Sequence, residues 1–473
     1  MKDLTFLPAH TMAELIRQKK ISPVELIEAH LSQIEKSNPK INAFIEVDGA
    51  RARQFARQAE SAVMREEILG PLHGVPVSIK SSISVAGLRW EAGTRLRQGM
   101  VADQDAILVS RLKDAGAILL GTTNVPELLM AWETDNILYG RTNNPWNLAR
   151  TAGGSSGGEA AAIAGGMSAG GVGSDGGGSI RVPAHFSGIC GLKPTPGRIP
   201  STGHYPVSAG PFAWLGVVGP MARTVTDLKI LFEAMQGPEA EDTCSAPVPV
   251  RWPNFDQTKK LKIGYFEDDG RTPVTPETRA TVRTAAEALR DAGFEVEPFC
   301  PDGLEEARQL WHKFFVVAGG MLLRPMFHGR EAELSPMLKQ FLEWSAGEPP
   351  LTEQTLLDAW IGRDTLRASC FRQMDMKGIS ILLCPAAAIP AFRHGERSWL
   401  IEGKSVDYLD AWSYAEFFNL LGNPAAVVPV GVSHEGLPIG VQVVGRPWEE
   451  EQVLAVAEIL EKECGGWRMP RTD

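Results

Sequence analysis

The chain has 473 residues, which is enough for three average domains or for one large α/β body. Hydrophobic residues make up 44% and charged residues 22%, as in ordinary water-soluble globular proteins. The formal net charge of −10 and the lack of basic runs or basic–aromatic clusters argue against a nucleic-acid partner.

The cysteines and the lack of long apolar segments argue against further classes of protein. The six cysteines are scattered without a C-x-x-C pair, so the sequence predicts reduced thiols, no metal site and no disulfide framework. The first residues, MKDLTFLPAHTMAEL, contain no long apolar run and no small-residue cleavage site. No window of about 18 apolar residues occurs, so we expect a cytoplasmic protein that does not cross a membrane.

In chain order, the first half alternates helices and strands. Capping boxes at residues 11–14 and 22–25 each predict the start of an amphipathic helix. The following pattern predicts a strand over 41–47, a helix over 50–65, a strand ending at Lys80, a helix over 105–115, a strand over 117–120, short helices over 124–132 and 159–163, and a loop over 139–147. This alternation is typical of a sheet with parallel strands covered by helices.

The second half continues the same pattern. It predicts helices over 224–235, 276–292 and 449–461, and strands over 261–266, 294–297, 379–383, 425–432 and 439–444. Residues 303–375 are predicted to be mainly helical. Some of their bulky side chains could line a pocket, but core packing is favoured for Trp311, Phe314, Phe315, Met321, Met326 and Trp344. Since no repeat or long linker interrupts the chain, we expect one α/β domain over 1–473.

Glycine is most concentrated in residues 153–194, around two serine sites, Ser155–Ser156 and Ser179. Glycine at this density costs conformational entropy and packs no side chain. It frees backbone N–H groups for close approach, so the stretch is predicted to be a site.

On residues alone, three interpretations of this stretch compete. Residues 171–176 match G-x-G-x-x-G, but Pro183 would break the helix that this motif opens, and the expected later acidic residue is missing. Ser179 could instead be a nucleophile, yet no pattern ties His73, His185 or His204 to an aspartate, and the G-x-S-x-G elbow is absent. The third interpretation is a tight loop without chemistry.

The same stretch resembles the amidase signature family of serine hydrolases. The matching segments, in the family's order and spacing, are GGSSGG at 153–158, DGGGSIR at 175–181 and GICGLKPT at 188–195, with GVPVSIK at 74–80, YGRTNN at 139–144, GPMAR at 219–223 and GLPIGVQVVG at 436–445. The resemblance implies a single α/β domain whose mixed, twisted central sheet is covered by helices on both faces. Its signature core would span about 70–230, and a more variable helical region on the substrate side about 300–375.

The resemblance also implies a Ser–cis-Ser–Lys triad. Ser179 would be the nucleophile, Ser155 the bridging serine and Lys80 the base, although the local pattern alone predicts that Lys80 is an ordinary solvated strand end. A basic lysine must be neutral, so burial must lower its pKa from about 10.4. Acyl transfer by such a triad needs no metal or organic cofactor.

Backbone N–H groups would complete this machinery. The resemblance places the oxyanion hole at Gly176, Gly177, Gly178 and Ser179, with Asp175 and Arg181 bracing the loop. The sequence departs from the family pattern in two places: Ser81 stands where aspartate is common, and Ser174 where threonine is common.

Two enzyme classes remain open on the sequence. Glutaminase subunits of tRNA-dependent amidotransferases carry an acidic residue at the position of Trp412, and no arginine motif for the glutamine carboxylate is recognisable in residues 303–375. An aromatic at that position favours neutral apolar or aryl amides, esters or carbamates (urethanes), in a pocket lined by Trp132 and Trp412. We therefore expect a small-molecule substrate and a monomer or homodimer.

Overall fold

The computed structural model describes residues 4–67 and 69–470. Its strands are β1 (Phe44–Val47), β2 (Pro76–Lys80), β3 (Ile118–Thr123), β4 (Asp135–Asn136), β5 (Gly140–Arg141), β6 (Asn143–Asn144), β7 (Asn147–Thr151), β8 (Gly170–Asp175), β9 (Cys190–Lys193), β10 (Val217–Ala222), β11 (Lys262–Tyr265), β12 (Val296–Pro298), β13 (Ile379–Pro385), β14 (Ser398–Ile401), β15 (Lys404–Asp407), β16 (Ala425–Val432) and β17 (Pro438–Val444).

Eleven of these strands form one mixed sheet. Their order is β1-β3-β2-β8-β10-β9-β16-β17-β13-β11-β12. The β3-β2-β8 and β13-β11-β12 groups pair in parallel, whereas the central strands pair antiparallel. One sheet therefore joins strands from residue 44 to residue 444.

Helices cover both faces of this sheet. They are α1 (Ala9–Arg17), α2 (Pro23–Ile41), α3 (Gly49–Met64), α4 (Ile107–Asp114), α5 (Gly157–Ala164), α6 (Arg181–Ser187), α7 (Pro211–Leu215), α8 (Val225–Met235), α9 (Phe255–Lys259), α10 (Pro276–Asp291), α11 (Leu304–His312), α12 (Ala318–Leu323), α13 (Pro336–Gly347), α14 (Glu353–Lys377), α15 (Ser413–Leu420) and α16 (Glu450–Glu463). Helices α8, α10 and α16 share one buried cluster with the sheet. Helices α11, α13, α14 and α15 form a second. The predicted mixed α/β fold is confirmed.

The two N-terminal helices show how far local sequence signals reach. Helix α2 begins as predicted, because Ser22 Oγ accepts the backbone N–H groups of Val24 and Glu25. Helix α1 begins at Ala9 rather than at Thr11, so the first capping box is wrong. Its free backbone N–H groups donate instead to Asp227 on α8, at 3.0 Å from Ala9 and 2.8 Å from His10. A carboxylate that distant in sequence leaves no local signal.

Three other predicted elements need correction. The strand predicted over 41–47 begins at Phe44, because α2 continues to Ile41. The helix predicted over 124–132 is a single 3-10 turn at Glu127–Leu129. Pro183 does not break a helix; it lies in the first turn of α6, where no intrahelical donor is needed.

The sheet brings the lysine and the glycine-rich stretch to one edge. Strands β2 and β8 are parallel neighbours, with Ile79 opposite Val172. Their carboxyl ends, Lys80 and Asp175, therefore leave the sheet on the same side. The glycine loop 176–178 follows β8 directly and leads into α6.

Candidate active site

Lys80 is fully buried at the end of β2 among hydroxyl groups. Its Nζ lies 2.7 Å from Ser155 Oγ, 2.9 Å from Ser156 Oγ and 2.9 Å from Ser174 Oγ. The structure thus brings Lys80 and Ser155 into direct contact across 75 positions of sequence. Ser156 and Ser174 were not predicted to contact the lysine. Both residues had been noted in the sequence, Ser156 as part of a serine site and Ser174 as a replacement of the family's threonine, but without a role toward Lys80.

Burial lowers the pKa of Lys80 well below its ordinary value. The nearby carboxylates of Asp175 and Glu159 act in the opposite direction, without reversing the effect. Glu159 is itself fully buried, where its oxygens accept hydrogen bonds from Ser78 and Thr123. Burial raises the pKa of Glu159 to about 7. Burial thus favours the neutral form of the Lys80 amine over its protonated form.

Ser155 is held by close backbone contacts. The Gly154–Ser155 peptide bond is cis. A side chain at Gly154 would meet the backbone of Glu133, since a Cβ there would lie 2.6 Å from the Glu133 nitrogen. The next residue, Ser156, donates its backbone N–H to the Ser179 carbonyl at 3.1 Å. The two serine segments are therefore joined directly.

Ser179 follows the glycine loop at the entrance to α6 and lines a cavity of about 410 Å³. Ser155 also lines this cavity, although only 1% of it is exposed. Ser179 is partly exposed, and Lys80 is not exposed at all. Accessibility thus decreases from Ser179 through Ser155 to Lys80.

The four predicted oxyanion donors differ in availability. Gly178 N–H donates to Asp175 Oδ1 at 2.8 Å, so this group is already used and the prediction is corrected for it. Within the described chain, the N–H groups of Gly176, Gly177 and Ser179 have no acceptor. These three remain free for a ligand oxygen.

Asp175 and Arg181 form a buried ion pair behind the loop. Arg181 Nε lies 3.0 Å from Asp175 Oδ2 and Nη2 lies 3.0 Å from Oδ1, which is a bidentate arrangement. Burial alone would raise the pKa of Asp175, but Arg181 and the Gly178 N–H hold it below its usual range. The pair therefore stays charged, and it holds the start of the loop against α6.

The cavity wall is mainly apolar. Its side chains come from the 128–130 turn, the 204–217 segment and the π-helical and α12 region of 313–326, and include Leu128, Met130, Phe212, Phe315, Leu323 and Met326. Asp175, which is paired with Arg181, is the one acidic residue along it, and no lysine or arginine lines it within the described chain.

The two tryptophans predicted to line the pocket do not line this cavity. Trp412 is fully buried and stacks on Trp132, with ring centroids 5.8 Å apart. Trp132 lies behind the glycine loop, where its Nε1 donates to the Gly177 carbonyl at 2.7 Å. The prediction is corrected: both rings belong to the aromatic layer that supports the loop.

Phe315 and Met326 were predicted as core, yet both line the cavity. Trp311 and Phe314 are buried as predicted, whereas Met321 is 49% exposed. Apolar residues at helical spacing give the same pattern on a core face and on a cavity wall. No signal in the sequence separates the two.

None of the three candidate histidines bonds to Ser179. His73 Nε2 contacts the Ala59 carbonyl, and His185 lies between the backbones of Ile389 and Gly440. His204 lines the cavity, but its two nitrogens contact Pro206 O and Ser82 Oγ. Burial, with a smaller effect of Lys80, lowers the pKa of His204 to about 4.

Residues 4–67 and 69–470 contain no cluster of three or more His, Cys, Asp or Glu side chains arranged to hold a metal ion. Over the same residues, no helix is both long and apolar enough to span a membrane.

Comparison with known proteins places this site in a family. Residues 25–454 match the Amidase family. The chain belongs to the amidase signature family. This amidase is a hydrolase that acts on the C–N bonds of linear amides.

Several relatives of this amidase align over nearly the whole chain. It is 33% identical to the acylamidase of Rhodococcus erythropolis, over 97% of this chain and 96% of the relative. It is 34% identical to a glutamyl-tRNA(Gln) amidotransferase subunit of a Synechococcus strain, over 94% of each chain. The structure of a bacterial aryl acylamidase of the amidase signature family superposes with a TM-score of 0.85 at 28% identity, covering 97% of this chain and 96% of that one.

Proposed function

We propose that this amidase hydrolyses neutral amides with apolar or aryl acyl groups, through an acyl-enzyme on Ser179. Esters and carbamates fit the same machinery, because they present the same carbonyl to the nucleophile. The observation that carries the proposal is the graded arrangement of one partly exposed serine, one buried serine and one fully buried lysine at an apolar cavity.

The proton relay follows from the contacts of Lys80. Its neutral amine takes the Ser155 proton across 2.7 Å, while Ser155 takes the proton of Ser179. Ser179 Oγ then bonds to the substrate carbonyl carbon. As the tetrahedral intermediate collapses, the C–N bond breaks and the relayed proton goes to the leaving nitrogen. Water attacks the acyl-enzyme by the same relay and releases the carboxylic acid.

Two further contacts of Lys80 fix which way its amine points. A neutral amine has two N–H groups and one lone pair. Ser156 Oγ and Ser174 Oγ, each at 2.9 Å, are nearer acceptors than Ser174 O at 3.4 Å and can accept the two N–H groups, which leaves the lone pair for Ser155. This arrangement supports Lys80 as the final proton acceptor.

The charge that develops on the substrate oxygen would be stabilised by backbone N–H groups. Gly176, Gly177 and Ser179 carry N–H groups without another acceptor in the described residues. Each such donor is worth about 3 kcal/mol in a transition state. We assign the oxyanion hole to these three.

The cavity supports an apolar rather than a charged substrate. A substrate carboxylate or ammonium group requires a placed partner of opposite charge. Among the described residues, the only charged side chain along the wall is that of Asp175, and Arg181 already neutralises it. This argues against glutamine as substrate, despite the similarity to a glutamyl-tRNA(Gln) amidotransferase. Trp412 stands where the resemblance places the acidic residue of the glutaminase subunits, and it is buried in the aromatic layer.

A substrate panel with active-site labelling tests the proposal. The panel contains p-nitroanilides of increasing acyl length, an aryl amide, an ester, an aryl carbamate and glutamine. We expect turnover of the neutral apolar members and none of glutamine. Turnover confined to glutamine or to small charged amides would overturn the substrate assignment.

The nucleophile is tested separately with a fluorophosphonate and mass spectrometry. We expect a single adduct on Ser179, which Ser179→Ala abolishes together with hydrolysis. Ser187→Ala is a matched control, because Ser187 ends the same helix and, among the described residues, the only hydrogen bond of its hydroxyl goes to Ala152 O at 3.4 Å. An adduct on another residue, or near-normal hydrolysis by Ser179→Ala, would contradict the proposed mechanism.

A further inference from the structure

Every carbonyl of the loop from Asp175 to Gly178 accepts a hydrogen bond from a different group. The donors are Asn419 Nδ2 to Asp175 O at 3.2 Å, Trp311 Nε1 to Gly176 O at 2.9 Å, Trp132 Nε1 to Gly177 O at 2.7 Å and Val182 N to Gly178 O at 2.7 Å. Two of the four donors are indole groups, from parts of the chain far from the loop. A flexible glycine segment is thereby held at each peptide unit.

A hydrogen bond that holds a carbonyl also fixes the direction of the N–H group in the same peptide unit. In a trans peptide the carbonyl of one residue and the N–H of the next lie in one plane and point in opposite directions. The Trp311 bond to Gly176 O therefore determines the direction of Gly177 N–H. The Trp132 bond to Gly177 O determines that of Gly178 N–H. These two N–H groups differ in their hydrogen bonding. Gly178 N–H donates to Asp175, whereas Gly177 N–H has no acceptor in the described chain.

We propose that Trp311 is a positioning residue for the oxyanion hole. Its indole N–H pulls the Gly176 carbonyl away from the cavity and so turns Gly177 N–H toward the substrate oxygen. This inference rests on the proposed function, in which Gly177 N–H is one of three oxyanion donors. Trp132 makes a similar bond one residue later, but the N–H that it orients already donates to Asp175.

The packing of Trp311 suits this role. The residue is 1% exposed and lies on α11, directly before the π-helical segment Lys313–Val317. Its ring stacks on Phe315, with centroids 4.7 Å apart and planes 13° from parallel. It also packs so closely on Gly177 that an added Cβ would lie 2.5 Å from its Cζ2. Since Phe315 lines the cavity, one stack of rings connects the cavity wall to the loop.

The pair Trp311→Phe and Trp132→Phe provides a matched test. Each variant keeps a buried aromatic ring and removes one indole N–H from a neighbouring carbonyl of the same loop. For Trp311→Phe we expect kcat to fall by about tenfold to hundredfold, because one oxyanion donor loses its fixed direction. The KM should stay within about twofold, since the cavity wall is retained. Trp132→Phe should lower kcat by no more than about threefold.

A second measurement, of inhibitor binding, reports specifically on the stabilisation of the oxyanion. A trifluoromethyl ketone with an apolar chain adds to Ser179 and places an oxyanion in the hole, whereas the corresponding alcohol cannot. For Trp311→Phe the inhibition constant of the ketone should rise by the same factor by which kcat falls, and that of the alcohol should not change. Trp311 replaced by benzothienylalanine keeps the ring shape without the N–H, and it should reproduce the effect if the phenylalanine variant is unstable.

Three outcomes would overturn the inference. These are equal losses in the Trp311 and Trp132 variants, a raised KM with unchanged kcat, or equal weakening of ketone and alcohol. Fluorophosphonate labelling separates this failure from that of the proposed function. Labelling at Ser179 with equal losses removes only the role of Trp311, whereas labelling elsewhere removes both.

Discussion

Replacing Gly177 by alanine should lower kcat, because the added methyl group would collide with the Trp311 ring. The backbone of Gly177 does not require glycine, since its φ is not positive. The added Cβ, however, would lie 2.5 Å from Trp311 Cζ2 and 3.2 Å from Cε2. Carbon atoms in ordinary contact are about 3.5–4.0 Å apart. Either the indole or the loop must therefore move by about 1 Å.

Such a displacement affects the group that would stabilise the transition state. A shift of about 1 Å in a catalytic group can cost about a hundredfold in rate. We expect kcat of Gly177→Ala to fall by about that factor, equivalent to about 2.7 kcal/mol in the barrier. The measurement is kcat and KM for an aryl amide, together with thermal unfolding. Gly347→Ala is the control, because among the described residues no atom beyond its chain neighbours and its own helix backbone lies within 4 Å of a Cβ there.

A double-mutant cycle tests the cause. In a Trp311→Ala background the ring that meets the new Cβ is absent, so adding Gly177→Ala should change kcat by less than about threefold. Contacting residues are non-additive in this way, whereas independent ones are additive. If Gly177→Ala costs the same factor in both backgrounds, the collision with Trp311 is not what impairs catalysis.

Three further predictions concern the base, the ion pair and the cavity. Protonated Lys80 cannot accept a proton, so kcat/KM should fall as the pH is lowered through its depressed pKa; Glu159→Gln removes a carboxylate that raises this pKa and should move the fall to lower pH in a pH–rate profile. Asp175→Asn leaves Arg181 buried without its charged partner and should cost about 3–5 kcal/mol in denaturant unfolding. Phe315→Ala enlarges the cavity and should raise kcat/KM for long acyl chains relative to short ones, measured over an acyl-length series.

Much of the fold was predictable because its signals are local. Apolar β-branched runs and capping residues identified eight of the eleven strands of the main sheet and most helices, including β16 (Ala425–Val432) and α2. The signal failed where a distant group completed the structure, as Asp227 does for α1. The contact between Lys80 and Ser155 came from the family resemblance; by local pattern alone Lys80 was an exposed strand end.

The details of the site depended on packing that the sequence does not encode locally. Trp412 was expected in the pocket because its position matched a substrate-binding one, but it is fully buried against Trp132 and does not line the cavity. Gly178 was expected to donate to the substrate, and only the bent path of the loop turns its N–H onto Asp175. In both cases the sequence predicted which residues lie near the site. It did not predict the direction in which the Trp412 side chain and the Gly178 N–H point.

The burial gradient explains why the proposed mechanism needs two serines. A lysine becomes a base near neutral pH only if it is removed from water, and the structure removes Lys80 completely. The same burial prevents it from reaching a substrate in the cavity. Ser155 satisfies both conditions, because it contacts Lys80 at 2.7 Å and also lines the cavity beside Ser179. In the proposed mechanism, a bridging hydroxyl therefore allows the base to remain shielded from water while the nucleophile remains accessible to the substrate. A direct contact between the lysine and the nucleophile at this site would not allow both.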